Sequence, residues 1–150
     1  MTIIDEKRKM TLNSSFGFML AKAAQRIADI AQESLNPLKL NTRQVGLLMT
    51  IKEYQPVTQI MISKLLRIDR TTMVTLIDDL ENRGLVVRTE SPQDRRVNNL
   101  TLTLRGNEIL DLAWKKILES EEKALLSLST SEKQRLIKIL EKMTGYRRSQ

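Results

Sequence analysis

Between Val57 and Gly84 the chain carries two short amphipathic helices with only three or four residues between them, a spacing few folds accept. The first, VTQIMISKLLRI, has Thr58 at its N-cap, with Val57 and Ile62 placed to pack across the cap as a staple. The second opens on Asp69, again a good cap, with Ile68 and Met73 as its staple. Along the second helix Met73, Ile77 and Leu80 fall on one side. Thr71, Thr72, Thr75, Asp78, Asp79 and Asn82 fill an arc of about 120° on the other. Gly84 stands where a left-handed residue ends such a helix. The pattern is that of a helix-turn-helix.

Downstream, the β-branched-rich runs LVVRTE and VNNLTL bracket SPQD and predict an antiparallel hairpin. Upstream, apolar residues from Phe16 to Ala31 recur at helical spacing until Asn36-Pro37 ends the helix. Asn41 caps the next helix, with Gln44 returning the bond in a capping box, and Pro56 closes it. Thr103 caps a helix bearing Ile109, Leu110, Ala113, Trp114, Ile117 and Leu118. Ser129-x-x-Glu132 opens a last helix with Leu136, Ile137, Leu140 and Met143 on one side and Gly145 beyond its end. Trp114 and the methionines read as core or dimer contacts, and the basic YRRSQ end as a frayed tail.

Terminal helices with this much apolar surface cannot hide it on a small winged helix alone, and a two-fold dimer resolves the problem. The expected architecture is mainly α with a small β-hairpin. Residues 1–150 form a single domain, with a winged helix-turn-helix at 37–106 flanked by dimerisation helices at 1–36 and 107–150.

The absence of cysteine and histidine excludes disulfides, thiolate and imidazole metal sites, and every nucleophile–histidine arrangement. No Gly-rich phosphate loop is present. No catalytic residue, metal or cofactor is therefore expected, and an enzyme is not the expected function. Aromatic residues, at 3%, are too few for stacking on single-stranded bases to be a main mode of binding. No apolar run approaches membrane-spanning length and no leader-like apolar stretch opens the chain, so the expected location is cytoplasmic. The net charge of +7 suits a polyanion, yet residues 1–56, 57–106 and 107–150 carry +3, +2 and +2, so charge alone marks no site.

Position does mark one. In a winged helix the second helix of the pair lies in the major groove of double-stranded DNA while the hairpin reaches along the backbone. Arg70, Thr71, Thr72 and Thr75 are the expected groove-lining residues: threonine hydroxyls can meet phosphates or base edges, and their methyls the methyl of thymine. Asp94, Arg95 and Arg96 form the expected wing tip. Arg96 would enter the narrow minor groove, Asp94 would hold its guanidinium, and Arg95 would face phosphate. Lys64, Arg67 and Arg88 are further candidates for phosphate contacts. Taken singly, a threonine front or a pair of turn arginines is usually just solvated surface; their order along the chain raises them above that.

In these residues the chain resembles the MarR family of bacterial transcriptional regulators. The resemblance rests on LNTRQVGLL, on VTQIMISKLLRIDRTTMVTLIDDLENRGLV, on DRR at Asp94 to Arg96, and on LTLRG at Leu102 to Gly106. It implies a homodimer built from the terminal helices, binding a near-palindromic operator, usually as a repressor. It also implies that the D-x-R arginine, here Arg96 with Asp94, enters the minor groove. Many members release DNA when a small, often aromatic and anionic, molecule binds between the dimerisation and DNA-binding regions, which makes such an effector a candidate partner. Three positions depart from the family pattern. Basic residues are common there where Thr75 and Asp79 stand, and a small residue, usually glycine, where Arg67 stands. The rival expectation is a dimeric protein-interaction module that keeps the fold without binding DNA, motivated by Asp78, Asp79 and those missing basic residues.

Overall fold

Helix α1 (Phe16–Leu35) stops at the backbone restriction set by Pro37, giving way to a 3-10 turn at Asn36–Leu38 and to Lys39 in the left-handed region at φ 53°. The computed structural model of the chain describes residues 11–92 and 97–147. Helix α2 (Thr42–Tyr54) begins at a reciprocal capping box. The Asn41 side chain accepts the Gln44 N–H at 2.8 Å, and the Gln44 carboxamide accepts the Asn41 N–H at 2.9 Å.

Strand β1 (Val57–Thr58) leads straight into α3 (Gln59–Leu66), whose cap Thr58 accepts the Met61 N–H at 3.2 Å. Three residues separate α3 from α4 (Arg70–Asn82). Strands β2 (Val86–Glu90) and β3 (Asn98–Leu102) pair antiparallel from Val86↔Leu102 to Glu90↔Asn98. Helix α5 (Leu104–Ala124) starts at Thr103, whose Oγ1 accepts the Gly106 N–H at 2.9 Å, and α6 (Thr130–Thr144) starts at the Ser129–Glu132 capping box. Gly84 and Gly145, at φ 68° and 73°, are both left-handed where helices end.

Beyond the expected hairpin there is a third strand. β1 pairs with β3, Val57 opposite Leu100, so the sheet has the order β1-β3-β2. A two-residue strand has no local period to announce it; its partner lies some forty positions downstream.

The chain divides into two compact units. One, residues 31–118, holds the buried core: Leu47, Leu48 and Ile51 from α2, Ile62 from α3, Met73, Ile77 and Leu80 from α4, and Leu85, Val86 and Leu100 from the sheet region. Burying each such side chain is worth about 1.5–3 kcal/mol. Leu35 of α1 and Leu110 and Ala113 of α5 join the same cluster, and Ala31 of α1 is buried as well, so this unit reaches beyond the 37–106 expected for the winged helix. The other unit comprises residues 1–30 and 119–150. None of its described apolar side chains is buried; Phe16, Met19, Leu126, Ile139, Leu140 and Met143 are all exposed. These helices are amphipathic, yet they have no core of their own.

Gly106 locks the start of α5 against the end of α4's loop. A Cβ there would stand 2.0 Å from the Leu85 carbonyl oxygen, backbone that also accepts the Thr103 N–H at 3.1 Å. Gly106→Ala is therefore expected to destabilise the protein by about 2 kcal/mol or more, lowering Tm by roughly 4–8 °C. A thermal melt superimposable on the wild type would show that the contact is dispensable.

Candidate nucleic-acid interface

Asp69 builds the front end of α4. Its carboxylate accepts the Thr72 N–H at 2.9 Å and the Thr72 hydroxyl at 2.6 Å. The Thr72 hydroxyl, and next the Thr72 backbone N–H, hold the Asp69 pKa below the ordinary carboxylate range. A depressed folded-state pKa means that this cap is fully formed above the ordinary value and is lost as pH falls through the lowered one.

The threonines differ in what they can still offer. Thr71 and Thr75 are exposed and Thr72 is half-buried. Thr72 donates its hydroxyl proton to Asp69, and Thr75 donates its own to the Thr71 carbonyl at 3.1 Å. Both keep lone pairs and methyls outward but have committed their donors. An ionised phosphate only accepts, so these two side chains suit base amino groups and thymine methyls better than the backbone. Arg70, in the first turn, is exposed, and no described residue pairs with it.

Around this helix the structure gathers two clusters of cations. Lys64 of α3 and Arg70 of α4 line one cleft, together with Gln59, Ser63 and Asn98. Arg67 and Arg43 line a second, beside Thr72 and Asp69. Arg67 sits in the inter-helix turn at φ 51°, the left-handed position where the family pattern favours glycine, at a cost of roughly 1 kcal/mol. Arg43, exposed in the first turn of α2, was not singled out from sequence; nothing local to it shows that the turn after α3 comes alongside.

Arg88 requires a correction. Its guanidinium donates to both Asp78 and Glu81 of α4, its own backbone N–H donates to Glu81 at 3.2 Å, and its side chain is only 20% exposed. Burial opposes the charge, but the hydrogen bond with Asp78 and the field of Glu81 outweigh it and raise the pKa. Strand β2 runs beside the second half of α4, so these two carboxylates meet Arg88 before any phosphate could. It clamps strand to helix.

Asp79 also has an internal role, accepting from the Gln44 carboxamide at 2.7 Å and from Arg83 at 3.4 Å. The two acids that motivated the non-binding alternative thus both have partners within the fold, which greatly weakens that case. Asp94, Arg95 and Arg96 lie outside the described residues. The ladder leading to them closes with the Ser91 N–H donating to the Val97 carbonyl at 2.9 Å. Among the described residues no group of acids could hold a metal ion, and no helix is long and apolar enough to cross a membrane.

A polar-fronted helix reached through a three-residue turn and followed by paired strands defines a winged helix-turn-helix protein. Residues 40–97 match the model of the MarR family. The transcriptional repressor CouR, solved bound to a 23-mer DNA duplex, is 29% identical with a TM-score of 0.82, over 93% of this chain and 99% of that one. A probable transcriptional regulator from Pseudomonas aeruginosa is 27% identical with a TM-score of 0.79, over 89% and 99% of the two chains. A mutant MarR from E. coli in complex with operator DNA shares the fold at 23% identity and a TM-score of 0.76, over 85% and 92%. Residues 40–97 thus carry a MarR-type winged helix-turn-helix, and the whole chain is similar in fold to these regulators.

Proposed function

We propose that this protein is a homodimeric transcriptional regulator that binds double-stranded DNA sequence-specifically at a near-palindromic operator, acting as a repressor. The observation that carries this reading is the face of α4, where Arg70, Thr71 and Thr75 are exposed between the cations Lys64 and Arg67. Two relatives of the same fold are solved on DNA, which supports the same use of this face. Arg96, with Asp94, enters the minor groove, and Arg95 meets phosphate. The unburied apolar helices of the terminal unit supply the dimer contact.

Binding is expected to weaken steeply with salt, log K falling by about 0.9 per tenfold salt for each phosphate neutralised. Lys64, Arg67, Arg70 and Arg95, doubled by symmetry, imply a loss of several decades between dilute and near-molar salt. A flat salt dependence in a fluorescence-anisotropy titration rules out this docking. The same titration addresses an effector. The cleft lined by Ile60, Ile68 and Val74 and bordered by Lys64 and Arg70, about 560 Å³, is of a size for a small aromatic anion, which would compete with DNA for those two cations. Aromatic acids are expected to displace the duplex; no displacement at millimolar concentration removes the effector from the proposal.

A further inference from the structure

One polar cluster continues the threonine face of the recognition helix towards its C-terminal end, where it meets the corner between α1 and α2. Asp79 lies one turn beyond Thr75, and its carboxylate accepts from Gln44, a residue only 7% exposed. Gln44 is at the same time the return arm of the α2 capping box. Arg83, one turn further, donates to Asp79, to the Lys39 carbonyl at 2.8 Å and to the Leu38 carbonyl at 3.1 Å. From the other side Gln32 of α1 donates to the Leu40 carbonyl at 3.1 Å and accepts the Thr42 N–H at 3.3 Å. The corner between α1 and α2 is thereby gripped by side chains of both α1 and α4.

Such a grip supplies what the core cannot. The apolar back of α4, Met73, Ile77 and Leu80, is held by burial, which is non-directional and tolerates small rotations about the helix axis. Hydrogen bonds are directional, and the Gln44–Asp79 bond at 2.7 Å lies off the axis, where a small rotation breaks it. Base-edge recognition requires side chains placed to within about 0.5 Å. We infer that Asp79, Gln44 and Arg83 form a latch that fixes the rotation of α4 against the α1–α2 corner, making all three positioning residues for sequence discrimination rather than DNA contacts. This rests on the DNA-binding reading above. It also accounts for an acid standing where the family pattern favours a base: here the position serves the protein's own frame.

The test measures the ratio of affinities for a selected operator and for random duplex, using the full chain. Gln44→Glu keeps an oxygen for the Asn41 N–H, so the α2 cap survives, but it sets a carboxylate against Asp79. The ratio is expected to fall roughly tenfold, about the effect of one mismatched base pair, with the salt slope and dimer unchanged. Adding Asp79→Asn to it restores a donor opposite the new carboxylate and is expected to recover most of the ratio. Should Gln44→Glu fail to fold, Asp79→Ala, which leaves the capping box intact, is expected to show the same fall. An unchanged ratio in the folded single variant, or no recovery in the double, overturns the latch. If Asp79→Asn alone raises affinity for both duplexes equally and the pair adds nothing, Asp79 acts only through repulsion of DNA and the latch is again overturned. A wild-type protein that retains no duplex at all overturns the DNA-binding reading, and this inference with it.

Discussion

Arg96→Ala is expected to reduce operator affinity by roughly a hundredfold while leaving the thermal melt and the dimer unchanged. A charge-assisted contact is worth about 1.5–3 kcal/mol. A two-fold dimer loses two of them together, so about 3 kcal/mol is the lower expectation, slightly more than a hundredfold. The strands that lead to this position are anchored: β2 and β3 pair over five residues each, and Arg88 ties β2 to α4 through Asp78 and Glu81. Strands fixed to the recognition helix in this way let whatever they lead to act in concert with it. Arg96→Lys separates shape from charge. If a flat guanidinium is what the narrow groove accepts, lysine restores only part of the binding, whereas full restoration would mean that Arg96 serves as a simple phosphate contact. Arg95→Ala is the companion: it is expected to lower the salt slope and to weaken operator and random duplex alike. Undiminished operator binding by Arg96→Ala in a shift assay removes the minor-groove role altogether.

What could be read ahead of the structure was what is local. Asn41, Thr58, Asp69 and Ser129 each announce a helix start because a cap and its target N–H are two or three residues apart, and all four accept the expected bond. Gly84 announces a left-handed end for the same reason. What could not be read was what the fold brings together from afar. Arg88 looks like a spare surface charge until β2 lies along α4 and delivers it to Asp78 and Glu81. Asp79 looks like a misplaced acid on a DNA-facing helix until Gln44, thirty-five positions earlier, reaches it. The threonine front was legible as a polar stripe, but the direction of its hydroxyls was not, since Thr72 and Thr75 point their protons at Asp69 and at the Thr71 carbonyl. Gly106 stood out only through the family resemblance; its cause is a backbone oxygen of Leu85 across the start of α5.

Ile139→Asp combined with Met143→Asp is expected to convert the protein to a monomer and to weaken operator binding by at least about a hundredfold. Ile139 and Met143 are each 52% exposed and stand four residues apart on α6, so they share one face. In a unit with no buried apolar side chain among its described residues, that face and the exposed Phe16 and Met19 of α1 are the surface to which the proposed dimer contact is assigned. Two carboxylates placed there would have to be desolvated without counter-charges on forming the dimer, which association cannot sustain. The effect on DNA follows from geometry. A dimer sets two recognition helices about 34 Å apart, one turn of the duplex, and the second engagement then occurs at high effective concentration, worth about 10²–10⁴ in affinity. A monomer keeps only one half-site. Because the winged-helix unit has its own core, its α4 face remains formed in the variant, and residual half-site binding with a halved salt slope is the expected signature. Sedimentation showing an intact dimer, or a monomer that holds the full operator as tightly as the wild type, is the result that would show the terminal helices to be something other than the dimer contact.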